Sequence, residues 1–128
     1  MIREAVYTIL SSDSNVTDEV GTRIYPMNAP RNPTFPFIVF EISQDPEYTK
    51  DGAAPLIYTD LDIYIYCKGS PRNNDTISDV LKTALDQYSG TVAGHEIDNI
   101  LWEDTRDTLW NPDLDEYQLG MSFRIREK

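Results

Sequence analysis

The chain contains a single cysteine, Cys67, in 128 residues. One thiol excludes an intramolecular disulfide. A chain of this length can bury a hydrophobic core that is stable without a disulfide or a bound metal. Cys67 ends a run of alternating apolar residues, so we expect it to be a small core residue and not a nucleophile or metal ligand.

Basic residues are also scarce. Eleven Lys and Arg stand against twenty-two Asp and Glu, which gives a formal net charge of −11. Affinity for phosphate comes mainly from Lys and Arg, so this balance argues against a surface that binds nucleic acid. A chain so acidic repels DNA that passes close to it.

Long hydrophobic runs are missing as well. The first ten residues lack the positively charged start and the apolar stretch of a signal peptide. No segment approaches the ~18 apolar residues of a membrane span. We therefore expect a soluble protein with no membrane contact, made and used in a cytoplasm.

Catalytic motifs are absent from the sequence. The six glycines are scattered, and no phosphate loop, G-x-S-x-G, H-E-x-x-H or C-x-x-C appears. The only histidine, His95, has acidic neighbours that could serve a small metal-dependent hydrolase: Glu96, Asp98, Glu103, Asp104 and Asp107. On a strand, Asp98 and Glu103 would point to opposite faces, which favours solvated carboxylates. We predict no catalytic, metal or cofactor site and no enzymatic activity.

The clearest structural signal is Leu56–Cys67. Ile57, Leu61, Ile63, Ile65 and Cys67 would point to one face, and Tyr58, Asp60, Asp62, Tyr64 and Tyr66 to the other. A period of two with β-branched and aromatic residues is typical of a half-buried β-strand. The second face, with its tyrosines and carboxylates, could either be exposed to solvent or contact another protein.

Around this strand the sequence predicts an α+β fold in one domain, residues 1–128. The expected order is α-β-β-α-β-β, with an antiparallel sheet of about four main strands and two helices packed on one face. The helices are predicted over Ile2–Leu10 and Ile77–Tyr88, with one further turn at Asn15–Val20. Asp75 or Thr76 can cap the start of the second helix, and Pro71 at a first helical position would start it earlier. The other three strands are predicted over Phe37–Gln44, Ile97–Asp104 and Tyr117–Ile125, with a turn at Trp110–Asp113.

Two irregular segments stand out. Pro26–Pro36, the proline-rich crossing, holds four prolines and cannot form a helix or a central strand. Asp45–Pro55 joins two strands that we expect to form a hairpin, and it exceeds the usual two to five residues. Its tip, Tyr48, Thr49, Lys50 and Asp51, is a candidate docking loop. A flexible insertion without a function is the alternative.

Aromatic residues supply the candidate interface. Tyr58, Tyr64 and Tyr66 would lie on the outer strand face, while Trp102 and Trp110 stand near polar turns. Tyrosine and tryptophan are enriched at protein interfaces. The alternative is that the tyrosine hydroxyls simply reach water over a partly covered sheet.

Several short motifs resemble the tail-completion, or tail-terminator, proteins of long-tailed bacteriophages. They begin with Val20–Pro26 (VGTRIYP), Ala29-Pro30 and Phe35–Phe40 (FPFIVF). The Asp60–Tyr66 strand, a helix of the Ile77–Tyr88 kind and the closing strand agree with the same layout. The family often has Tyr where this chain has Phe37, and Thr91–Leu109 carries no motif of the family.

The resemblance implies a virion protein that forms a ring, usually a hexamer, at the junction of tail and head. Such a ring stops growth of the tail tube and joins the tail to the head connector. Its implied partners are copies of itself, the tail-tube protein and the connector protein, and it brings no catalytic residue. DNA would pass through the lumen without specific binding, which suits an acidic wall. An acidic decoy that imitates DNA is the alternative from the residues alone.

Overall fold

The computed structural model describes residues 2–47, 56–113 and 115–127, which form three helices and six strands. The helices are α1 (Arg3–Ser12), α2 (Ser14–Val20) and α3 (Pro71–Leu85). The strands are β1 (Ile24–Pro26), β2 (Phe37–Glu47), β3 (Leu56–Lys68), β4 (Gly90–Val92), β5 (His95–Asn111) and β6 (Glu116–Glu127). None of the helices within these ranges is long and apolar enough to cross a membrane.

The strands form one sheet in the order β1-β2-β3-β6-β5-β4. The α+β class is confirmed, but the expected four strands, the purely antiparallel sheet and the order α-β-β-α-β-β are wrong, because the sheet is mixed. The described ranges add β1, which pairs with β2 in parallel, and β4, which pairs with the start of β5. Both added strands are three residues long, too short for a period of two to be visible in sequence; at β1 the sequence indicates only a short extended piece, Arg23–Tyr25, ended by Pro26.

Helix α2, which the sequence predicts only as one further turn, also has a local cause. The Asp13 carboxylate accepts hydrogen bonds from the backbone amides of Asn15 (2.9 Å) and Val16 (3.2 Å), so it caps a new helix directly after α1. Gly21 ends α2 with a φ of 60°, a conformation that glycine adopts without steric cost. The further turn expected at Asn15–Val20 is therefore a separate short helix, α2.

The core lies between the helices and one face of the sheet. Leu61, Ile63, Ile65 and Cys67 are buried there, as the alternation predicts. They meet apolar side chains of all three helices and of β6, among them Leu10, Val16, Leu81, Phe123 and Ile125. The sheet therefore has an inner face beneath the helices and an outer face on the other side.

The hairpin of β2 and β3 is confirmed, since the two strands pair antiparallel from Phe37 with Tyr66 to Glu47 with Leu56. The crossing between β1 and β2 contains neither helix nor strand after Pro26, as its prolines predict. Its Phe35-Pro36 peptide bond is cis.

Strand β5 is longer than the predicted Ile97–Asp104. It continues past Asp104 to Asn111, so Trp110 and Asn111 belong to the strand and the turn begins at Pro112. Three register shifts along its pairing with β6 interrupt the alternation, near Asp98, Glu103 and Thr108. At each bulge two residues of β5 lie opposite one residue of β6. The apolar residues of β5 therefore do not recur with a period of two, and the sequence does not show the full strand.

Candidate assembly surfaces

Three of the predicted interface residues lie together on the outer face of the sheet. Tyr58, Tyr64 and Tyr66, here called the tyrosine face, are each partly buried. Directly opposite them on β6 are Arg126, Gly120 and Gln118, respectively. The strand alternation therefore brings these three rings to one side of the molecule, away from the helices.

Tyr66 is part of an aromatic cluster that holds the proline-rich crossing on the outer face. Its ring stacks on Phe37 at a centroid distance of 4.7 Å, and the Phe37 ring lies 5.0 Å from Phe35. The Lys68 ammonium lies 4.7 Å from the centre of the Phe35 ring, a cation–π contact. Phe37 is consequently only 4% exposed although it lies on the outer face. Tyr66 thus contributes to the fold as well as to the surface.

The charge around Tyr66 is negative. Burial raises the pKa of its phenol, and the nearby Glu116 raises it further, with smaller contributions from Tyr64 and Glu41. The hydroxyl therefore stays protonated at neutral pH and remains a hydrogen-bond donor. A neighbouring molecule that contacts this ring meets an uncharged phenol.

A shallow groove runs between the proline-rich crossing and the tyrosine face. It has a volume of about 480 Å³, with Met27 and Asn28 on one side and Val39, Tyr64 and Tyr66 along the floor. Met27 is 57% exposed. Apolar and polar side chains both line the groove, and Glu41 is its one acidic residue among those described, so the surface is suited to protein contact.

The centre of the outer face carries paired charges. Ser122 donates to the Asp62 carboxylate at 2.7 Å, and Arg106 donates to Ser122 at 3.0 Å and to Asp104 at 2.8 Å. Farther along β6 the guanidinium of Arg124 lies 4.4 Å from the centre of the Tyr58 ring. These contacts hold the polar side chains in place and leave fewer uncompensated charges on this face.

The two predicted tryptophans lie on the opposite side of the sheet from the tyrosines. Trp102 pairs with Phe123 and Trp110 with Tyr117, residues that belong to the inner face. Thr105 and Asp107 lie between them on the same side of β5. We call Trp102, Thr105, Asp107 and Trp110 the tryptophan row. The single interface expected from the sequence is therefore two surfaces.

Both tryptophans are anchored yet accessible. The Trp102 backbone amide donates to the Asp86 carboxylate at 2.9 Å, its indole N–H donates to the Thr105 hydroxyl at 2.9 Å, and the Lys82 ammonium lies 3.9 Å from its ring centre. Trp110 stacks on Tyr117 at 6.3 Å. Trp102 is 37% and Trp110 58% exposed.

The candidate docking loop, Tyr48, Thr49, Lys50 and Asp51, lies outside the described residues. The hairpin strands lead directly to it, with Glu47 and Leu56 as the last described pair. Its role stays a prediction.

The acidic residues near His95 are dispersed over the sheet. The His95 Nδ1 atom lies 3.2 Å from a Glu127 carboxylate oxygen, Asp98 pairs with Arg126, and Asp104 pairs with Arg106. Among the described residues no group of three or more histidine, cysteine or acidic side chains is placed to hold a metal ion. The carboxylates considered for a hydrolase are therefore not gathered into one site by the fold.

Comparisons with known proteins give structural matches and one family match. A chain described as the virion of a native gene transfer agent particle superimposes with a TM-score of 0.75 at 16% identity, covering 96% of this chain and 91% of that one. A second solved chain superimposes with a TM-score of 0.72 at 10% identity, covering 99% and 93%. A comparison with curated proteins gives no match. The family model described as tail completion protein gp17 matches residues 4–127. The chain therefore belongs to the tail completion protein gp17 family, which confirms the resemblance seen in its motifs and gives it a structural role in a phage tail.

Proposed function

We propose that this protein forms a ring, a hexamer, at the head-proximal end of a phage tail, where it ends growth of the tail tube and joins the tail to the head connector. The observation that carries the proposal is the family match, which extends over residues 4–127. The fold shared with a protein of a gene transfer agent virion supports the same setting.

The surfaces suit a ring of identical copies. A ring that closes by rotation uses head-to-tail contacts, in which each copy presents two different surfaces to its two neighbours. The tyrosine face and the tryptophan row lie on opposite sides of the sheet, and both offer aromatic side chains of the kind that dominate interface energetics. Because these two surfaces face away from each other, a single copy cannot bury one against the other.

The charge of the chain supports passage of DNA through such a ring. With a net charge of −11, each copy adds to a wall that repels phosphate and does not retain it. The tail-tube protein and the connector protein are the proposed partners above and below the ring. Tyr48, Thr49, Lys50 and Asp51 are the proposed contact to one of them.

The test is genetic disruption in the phage or prophage that encodes the chain. Without the protein, we expect filled heads and separate tails, with tail tubes of irregular length, in electron micrographs. Deletion of residues 48–53 is the finer variant, and it should give a folded protein that does not join heads to tails. Intact, infectious particles in the absence of the protein would refute the proposed function.

A further inference from the structure

One edge of the sheet is open along most of β5. Strand β4 pairs with β5 only as far as Ile97, and the backbone of Gln87 and Tyr88 pairs with Ile100 beyond it. From Glu103 onward, no described strand lies on the free side of β5, and residues 103–107 are all exposed. The tryptophan row follows this open edge.

The open edge has uncompensated negative charge. Residues 96–107 include five acidic residues and one basic residue, Arg106, which is bound to Asp104. Glu103 and Asp107 make no hydrogen bond or ion pair within the described part of the chain. The bulges near Glu103 and Thr108 interrupt the regular edge, which disfavours addition of a long strand. A partner would therefore dock mainly through side chains.

The opposite edge of the sheet has the complementary charge. Residues 20–40 contain no Asp or Glu, the longest such run in a chain with 22 acidic residues, and they contain two arginines. Arg23 donates to the backbone oxygen of Pro36 at 2.8 Å and helps hold the proline-rich crossing. Arg31 is exposed and has no partner among the described residues, and Met27, in the same crossing, is exposed too.

We propose that the open edge of β5, with the tryptophan row, docks on the proline-rich crossing of a second copy of this chain. In this contact the Arg31 guanidinium pairs with the free carboxylates of Glu103 and Asp107, and Trp110 packs against the apolar side chains of the crossing, Met27 among them. The contact rests on the proposed ring, and it identifies which surface meets which.

Charge determines the direction of the contact. Two copies that each carry −11 repel one another over most of their surfaces, so association favours the longest segment that lacks acidic residues. That segment and the open edge are at opposite ends of the strand order, so each copy accepts one neighbour and offers itself to another. A head-to-tail contact of this kind does not end at an isolated dimer, and it gives the proposed ring when the rotation between successive copies closes.

Site-directed cross-linking tests the contact. Arg31→Cys protein and Asp107→Cys protein are mixed in equal amounts and treated with a short bismaleimide that joins two thiols. We expect cross-linked heterodimers in the mixture and none with either protein alone. The native Cys67 is buried and its pKa is raised to about 11, so it does not compete. The matched control is Arg72→Cys, another exposed arginine, mixed with Asp107→Cys, which should not cross-link.

Charge exchange supplies a second readout. We expect Arg31→Glu and Asp107→Arg each to weaken self-association about three- to tenfold, the range of a surface ion pair lost and replaced by repulsion. The double variant should recover most of the loss. Annular particles without the cross-link, or without rescue, would overturn this contact and leave the proposed ring intact. Absence of both the cross-link and any ring would overturn both proposals.

Discussion

Thr59 interrupts the apolar inner face of β3. Its replacement by valine tests whether the buried hydroxyl destabilises the folded protein. The residue is 0% exposed and lies between Gln44 of β2 and Ile125 of β6 in the sheet register. Its hydroxyl is buried without a hydrogen-bond partner. Valine has nearly the same shape and replaces the hydroxyl by a methyl group.

A buried hydroxyl without a partner costs about 1–3 kcal/mol. Thr59→Val should therefore raise the free energy of unfolding by about 1–2 kcal/mol. For 128 residues the entropy of unfolding is about 0.27 kcal/mol per degree, so the midpoint temperature should rise by roughly 4–7 °C.

Equilibrium urea denaturation followed by circular dichroism measures this change. Thr59→Ser is the matched control, because it keeps the hydroxyl and removes the methyl group, and it should lower the free energy of unfolding by about 1 kcal/mol. A valine variant less stable than the wild type would refute the reasoning, since it would mean that the hydroxyl is hydrogen bonded in the folded protein.

Three further predictions concern other parts of the fold. Phe37→Ala should lower the free energy of unfolding by about 3–5 kcal/mol in urea denaturation, because the ring is almost fully buried on the outer face; a loss below about 1 kcal/mol would contradict this. Asp13→Ala should cost about 0.5–2 kcal/mol by removing the α2 cap, while Asp13→Asn should stay close to the wild type; equal losses would contradict the capping role. Burial raises the pKa of the Cys67 thiol from 9.0 to about 11, so the folded state favours the protonated form and loses stability as pH rises from 9 through 11. Cys67→Ala should lose that part of the pH dependence, and an unchanged pH profile would contradict it.

The sequence predicted those elements whose pattern is regular. In β3 and β6, alternation alone identifies the buried face, and both strands lie in the middle of the sheet, where the inner face is buried from residue 61 to 67 and from residue 119 to 125. For the helix in the second half of the chain, the sequence leaves the start open between Pro71 and the region of Asp75, and the structure begins it at Pro71 and ends it at Leu85. Ser70 caps it by accepting a hydrogen bond from the Arg72 amide at 3.2 Å, and Pro71 suits the first helical position.

The assembly surfaces were harder to predict for a physical reason. The face on which Trp102 and Trp110 lie depends on the bulges of β5, and each bulge reverses the alternation that a sequence reading follows. The role of Tyr66 depends on Phe37 and Phe35, which reach it only because the proline-rich crossing folds over the outer face. Contacts between residues so far apart in the chain leave no local signal.

The most direct test of the proposed ring is cryo-electron microscopy of the purified virions that contain this chain. We expect a closed ring of copies between the tail tube and the head connector, with Trp110 of each copy against the proline-rich crossing of the next. Density for the chain at the distal tip of the tail, or as a single copy outside any ring, would contradict the account.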